Sequence, residues 1–143
     1  DRLLEKAGID VLLVTSKHNI QYLLGGYRFF FFDYSDAIGV SRYLPILVYP
    51  AGQPEKAAYI GNAMEDSEVE NGAFWCPTVD TTTWTATDAM SEAVKHLRSI
   101  GLPVRRIGVE YPFLPLDTAE LLREQMPDSA LVEAHLPLET MSA

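Results

Sequence analysis

Apolar residues recur along this chain in two rhythms, unbroken runs of strand length and stripes at helical spacing. Residues 11–15 (VLLVT) form a continuous apolar run, the pattern of a strand covered on both faces. Residues 1–7 before it read as the last turns of a helix that Gly8 stops. After it, Ser16 is placed to cap a helix in which Ile20, Leu23, Leu24 and Tyr27 fall at i, i+3, i+4 and i+7, with Gly25 and Gly26 as a left-handed exit. Strand patterns return at 37–41 and 46–49. Pro45 between them argues against one uninterrupted central strand and predicts an edge or bulged position. Residues 50–54 (PAGQP) predict a turn and 57–60 a returning strand, hence an antiparallel hairpin.

Beyond the hairpin, the acidic residues 65–70 predict a short exposed helix and residues 74–76 a short strand. Residues 81–84 read as a linker, with Trp84 as a hydrophobic staple for the helix that follows. Thr85-Ala86-Thr87-Asp88 has the form of a capping box. Ala86, Ala89, Met90, Ala93, Val94, Leu97 and Ile100 then hold helical spacing until Gly101 and Pro103. A core strand at 106–110, a helix at 116–125 stopped by Pro127, and a strand at 130–134 complete the pattern. Alternating helices and strands imply parallel pairing, and the hairpin adds antiparallel strands. The expected class is therefore α/β, a mixed β-sheet flanked by helices in a single domain over 1–143.

Composition narrows the functions open to such a domain. Twenty acidic against eleven basic side chains give a formal net charge of −9, which repels phosphate backbones and anionic lipid surfaces. Nucleic acid and membrane are thus not expected partners. Cys76 is the only cysteine, so no intrachain disulfide can form, and a reducing cytoplasm is the expected compartment. No apolar run reaches the roughly 18 to 20 residues of a membrane-spanning helix. Both ends read as cut from a longer protein.

The residues that carry chemistry elsewhere are scattered here. His18, His96 and His135 are far apart and no H-E-x-x-H occurs, and His18 and His96 each read as a surface histidine. Ser16 reads as a cap and Cys76 as a packed thiol. Asp33, Asp36, Asp80 and the acidic 65–70 stretch read as solvated faces. Neither G-x-S-x-G nor a phosphate-cradling glycine loop is present. No catalytic or metal-ligating residue is therefore expected. One run stands apart, Tyr27, Arg28, Phe29, Phe30, Phe31 and Phe32. Six such side chains in a row cannot all enter one core. The run reads as a partner surface, against a locally packed loop or a stacking site for a small ligand.

Leu3-Leu4-Glu5-Lys6-Ala7-Gly8-Ile9-Asp10-Val11-Leu12-Leu13-Val14-Thr15-Ser16, followed by Asn19-Ile20-Gln21-Tyr22-Leu23-Leu24-Gly25-Gly26, resembles the opening of the creatinase/prolidase/aminopeptidase P N-terminal domain. In that family a helix ends in G-[IVL]-D-A-[LV]-[LV]-[LV], and asparagine, a tyrosine-leucine pair and glycine follow at this spacing. The resemblance continues through Arg42, the turn at 50–54, the capped helix, Arg106-Ile107-Gly108-Val109-Glu110 and the closing strand. It departs at Leu24, where many members have threonine, and in the apolar run Phe29 to Phe32.

The resemblance implies a ribonuclease H-like, creatinase-type N-terminal fold preceding a catalytic pita-bread domain. That following domain binds two divalent metals, usually manganese, cobalt or zinc, through two aspartates, a histidine and two glutamates. None of its motifs matches a position here. The implied parent is a metallopeptidase, an Xaa-Pro dipeptidase (prolidase) or aminopeptidase P, acting on proline-containing peptides as a homodimer. The N-terminal domain would serve there in dimerisation and substrate gating. Tyr27, Arg28, Phe29, Phe30, Phe31, Phe32 and Arg42 would then approach the partner subunit's site, with Arg42 placed to pair with a substrate carboxylate or remaining an ordinary strand-end residue. A creatinase-like amidinohydrolase and a non-enzymatic association module are the alternatives.

Overall fold

Val11–Val14, the first strand (β1), is buried at every position, and strict alternation along it divides the interior in two. Val11 and Leu13 join one apolar cluster, and Leu12 and Val14 join another. Such a strand needs cover on both faces, and the elements around it supply that cover. In this computed structural model residues 2–16, 19–20, 45–62, 78–83 and 85–134 are described. The expected partner run Tyr27 to Phe32, Arg42, the strand at 37–41, the acidic helix at 65–70, the strand at 74–76 and the staple Trp84 lie outside them.

Helix α1 (Arg2–Ala7) precedes β1, and Gly8 ends it at φ +68°, in the left-handed region that glycine tolerates. Strands β2 (Ile46–Pro50) and β3 (Ala58–Asn62) follow, joined through a short 3-10 turn at Pro54–Lys56. Next come β4 (Thr78–Thr83), helix α2 (Ala86–Ser99), β5 (Arg106–Val109), helix α3 (Leu116–Gln125) and β6 (Ala130–Glu133). The six strands among the described residues make one mixed sheet in the order β4-β3-β2-β1-β5-β6. The β1–β2 and β2–β3 pairs are antiparallel, whereas β3–β4, β1–β5 and β5–β6 are parallel.

Paired positions share a face, so the alternation of β1 extends across the sheet. Leu13 opposite Val48 and Val109 lies in the cluster that α2 covers with Ala89, Met90, Ala93, Val94 and Leu97 and α3 with Leu122. Val14 opposite Leu47 lies in the other cluster, with Leu4 of α1, Ile20 and Tyr59. Gly108 is the fitted position of this second face. A Cβ there would stand 2.8 Å from Leu12 Cδ2 and 3.0 Å from Ala134 Cβ, so a larger residue would force both neighbours to shift.

The sequence signals for α2 correspond to what forms. Thr85 Oγ1 accepts from the Asp88 amide at 3.1 Å, the six residues expected on its inner face up to Leu97 are buried, and Gly101 follows at φ +71°. The hairpin of β2 and β3 and the helix at 116–125 also form as expected. Three expectations are corrected. The strand after Pro45 is interior, paired with β1 on one side and β3 on the other. Pro45 precedes the strand, so its missing N–H breaks no rung of the ladder. Residues 81–83 belong to β4, a parallel edge strand against β3, and are no linker. Finally, His96 is half-buried, and its Nε2–H donates to the Lys56 carbonyl at 2.7 Å while Lys56 Nζ donates to the Ile100 carbonyl at 3.1 Å. The pair ties the end of α2 to the turn after β2. Among the described residues no helix is long and apolar enough to cross a membrane.

Candidate functional site

The G-I-D of the opening motif is explained at the N-terminal ends of β1 and β5. Gly8 turns the chain, and Asp10 Oδ2 accepts from the Arg105 and Arg106 amides at 2.9 and 3.0 Å. The backbone of Asp10 is engaged as well, its N–H donating to the Arg106 carbonyl and its carbonyl accepting from the Ala51 amide. Asp10 therefore sets the register of β1 between β2 and β5. A cleft of about 370 Å³ opens beside it, lined in part by Glu5, Gly8, Gln53 and Pro103. With Asp10 committed to β5, this cleft brings together no nucleophile and base.

The C-terminal ends of the same two strands carry a denser arrangement. Glu110, one residue past β5, is fully buried. Its Oε1 accepts from the Thr15 and Ser16 amides, both at 3.0 Å, and its Oε2 accepts from Asn19 Nδ2 at 2.8 Å. A carboxylate only accepts, so the Asn19 amide must present its nitrogen, and among the described residues Asn19 Oδ1 is left without a hydrogen-bond partner. Ser16 acts as the expected cap, its Oγ accepting from the Asn19 amide at 3.3 Å. The chain enters residues 21–44, which include the expected partner run, directly from this clamp.

Beyond Glu110 the chain makes a 3-10 turn at Tyr111–Phe113, closed by the Phe113 amide donating to the Glu110 carbonyl at 2.8 Å. Thr15 Oγ1 donates to the Phe113 carbonyl at 2.6 Å, and the Tyr111 amide donates to Glu133 Oε2 at 3.2 Å. Strands β1, β5 and β6 are thus stitched together along one rim. Tyr111, Phe113 and Leu116 stand out there, 52%, 40% and 72% exposed. Between this rim and α3 lies an open cleft of about 180 Å³, with Leu114, Leu131 and Arg123 in its lining.

The sequence places Asn19 and Glu110 only within the family resemblance, with no role for either, and does not single out this apolar rim. The signals were present, an apolar strand ending on a carboxylate in G-V-E and six residues, Tyr-Pro-Phe-Leu-Pro-Leu, too apolar for an ordinary surface turn. The arrangement organises the chain. Glu110 is occupied by main-chain and amide donors, and among the described residues no three His, Cys, Asp or Glu side chains group to hold a metal ion. Where Tyr27, Arg28, Phe29, Phe30, Phe31, Phe32 and Arg42 stand relative to the clamp lies outside the described residues.

Known structures share this architecture. A proline dipeptidase from Streptococcus pneumoniae is 19% identical with a TM-score of 0.69, the match covering 98% of this chain and 91% of that one. The Xaa-Pro dipeptidase from Bacillus anthracis is 15% identical with a TM-score of 0.67, covering 98% of this chain and 34% of that chain. The prolidase from Pyrococcus horikoshii is 17% identical with a TM-score of 0.64, covering 98% and 32%. At these identities the likeness is one of fold, and in the latter two the domain is part of a larger protein. No curated protein sequence matches the chain. The sequence matches the creatinase/prolidase N-terminal domain over residues 1–141, and the chain belongs to that family.

Proposed function

We propose that this chain is the non-catalytic N-terminal domain of a metal-dependent Xaa-Pro peptidase of the cytoplasm, contributing dimer contacts and substrate gating to a catalytic domain that follows it. The observation that carries the reading is the family match over nearly the whole chain, joined to structural neighbours described as proline dipeptidases and prolidases. Among the described residues no three His, Cys, Asp or Glu side chains group to hold the two divalent ions, manganese, cobalt or zinc, that such a peptidase would use, and no step of the reaction is assigned to this domain. The family also bears the name of creatinase, which keeps an amidinohydrolase as the second reading.

Full-length protein supplied with manganese is expected to release proline from an Xaa-Pro dipeptide, and residues 1–143 alone to release none. Hydrolysis of creatine in place of the dipeptide would shift the reading to the amidinohydrolase. Dipeptide turnover by the isolated segment would overturn the assignment of chemistry to another domain.

A further inference from the structure

Tyr111, Phe113 and Leu116 are the large apolar side chains that stand exposed among the described residues, and all three fall within six positions on one rim of the sheet. The remaining large apolar residues whose side chains are described are buried or half-buried. Single exposed hydrophobics need no explanation, but a cluster bordering a cleft marks a surface that another body covers. The cluster is also held in place. Pro112 lies in the 3-10 turn and Pro115 precedes α3 at φ −57°. Thr15 Oγ1 fixes the Phe113 carbonyl at 2.6 Å, and Glu133 fixes the Tyr111 amide at 3.2 Å. A surface already ordered loses little conformational freedom on docking.

Topology favours one occupant. β6 runs parallel to β5, with Glu133 opposite Val109, and the Ala134 amide donates to the Val109 carbonyl at 2.8 Å. The chain thus leaves the sheet at the rim that carries the cluster, tied to Tyr111 on the way. In the Bacillus anthracis and Pyrococcus horikoshii proteins most of the chain lies outside the region similar to this domain. A domain tethered to the end of β6 meets this rim at high effective concentration.

We propose that the Tyr111, Phe113 and Leu116 rim is the docking surface for the domain that follows β6 in the same polypeptide, with Leu116 as its most exposed anchor and Arg123, in the adjoining cleft, facing an acidic or carbonyl group of that domain. The inference rests on the reading that a second domain follows, and not on the chemistry of that domain.

The test uses the full-length protein with Leu116→Asp. An acidic residue in the first turn of α3 suits the helix, so local unfolding does not mimic the effect. Calorimetry is expected to split a single unfolding transition into two, and proteolysis within residues 135–143 to accelerate about tenfold. Phe113→Ser is expected to act in the same direction, and Glu120→Ser, an exposed α3 position outside the cluster, to change neither readout. One unchanged transition with unchanged proteolysis in both rim variants would overturn the proposal. So would a loss of dimer mass in sedimentation without domain uncoupling, which would assign the rim to a second copy. Dipeptide hydrolysis measured on the same wild-type sample separates the two ideas. Uncoupling in an inactive protein keeps the docking surface and removes the peptidase reading, whereas an active protein with unmoved transitions does the reverse.

Discussion

The ladder between β1 and β5 is closed by a carboxylate at each end, and the two closures are built differently. At the N-terminal end Asp10, half-buried, reaches from β1 to two amides at the start of β5. At the C-terminal end Glu110, fully buried, reaches from β5 to two amides just past β1 and to a side chain three residues further on. Each strand thus contributes the acid that secures the other. Water competes for the bonds of Asp10, but water does not reach those of Glu110, so leaving the latter unmade costs far more. The difference follows what each end must fix. The N-terminal end sets register between neighbouring strands. The C-terminal end also sets where the chain departs into residues 21–44 and where the exposed rim begins.

The strongest way to break this comparison is to remove the buried acid. Glu110→Ala leaves the Thr15 and Ser16 amides and Asn19 Nδ2 without their acceptor inside the protein, and is expected to destabilise it by about 3–5 kcal/mol in urea denaturation. Glu110→Gln keeps one carbonyl acceptor for the two amides. The Asn19 side chain can then rotate to offer its Oδ1 to the new amide, so the loss should be about half as large. Equal losses for alanine and glutamine would mean that charge holds this end, rather than the number of acceptors. A loss under about 1 kcal/mol for alanine would remove the distinction between the two ends.

Much of the scaffold around this ladder could be read from local pattern. The inner face of α2 recurs at helical spacing and its cap is written in four adjacent residues, so both emerge without knowledge of the rest of the chain. β1 is legible because burial on both faces demands an uninterrupted apolar run. β4 was not, since the threonine-rich Thr78–Thr83 lies at the edge of the sheet and owes its strand form to pairing with β3. The interior place of β2 was misjudged because a proline just before a strand carries the same letter as one inside it. The clamp was hidden for another reason. Glu110 meets Thr15, Ser16 and Asn19 across 91 to 95 residues, and no periodicity encodes a contact that the parallel pairing of β1 and β5 creates. The rim was hidden by composition, because apolar residues at 111–116 look like core until the topology places them at an end of the sheet.

A smaller loss is expected from the clamp's other side. Asn19→Ala deprives Glu110 Oε2 of one donor, but it also removes a buried acceptor that has no partner among the described residues, and the two effects oppose each other. The expected cost is about 1–2 kcal/mol, read from the same denaturation curves. A cost equal to that of Glu110→Ala would show that the asparagine, and not the two amides, is the centre of the clamp.

The smallest effect belongs to the solvent-facing end. Asp10→Ala opens two hydrogen bonds whose donors water can reach, and is expected to cost about 1 kcal/mol, while Asp10→Asn, which keeps an acceptor, should cost less. Amide exchange resolves this better than denaturation does. The Arg105 and Arg106 amides should lose protection in Asp10→Ala, whereas the Ala51 amide, bonded to the Asp10 main-chain carbonyl, should keep its own. Loss of protection at Ala51 together with the other two would mean that Asp10 holds β2 as well as β5 through its side chain. The N-terminal end would then be a clamp of the same rank as Glu110, and the asymmetry between the two ends would lie only in burial.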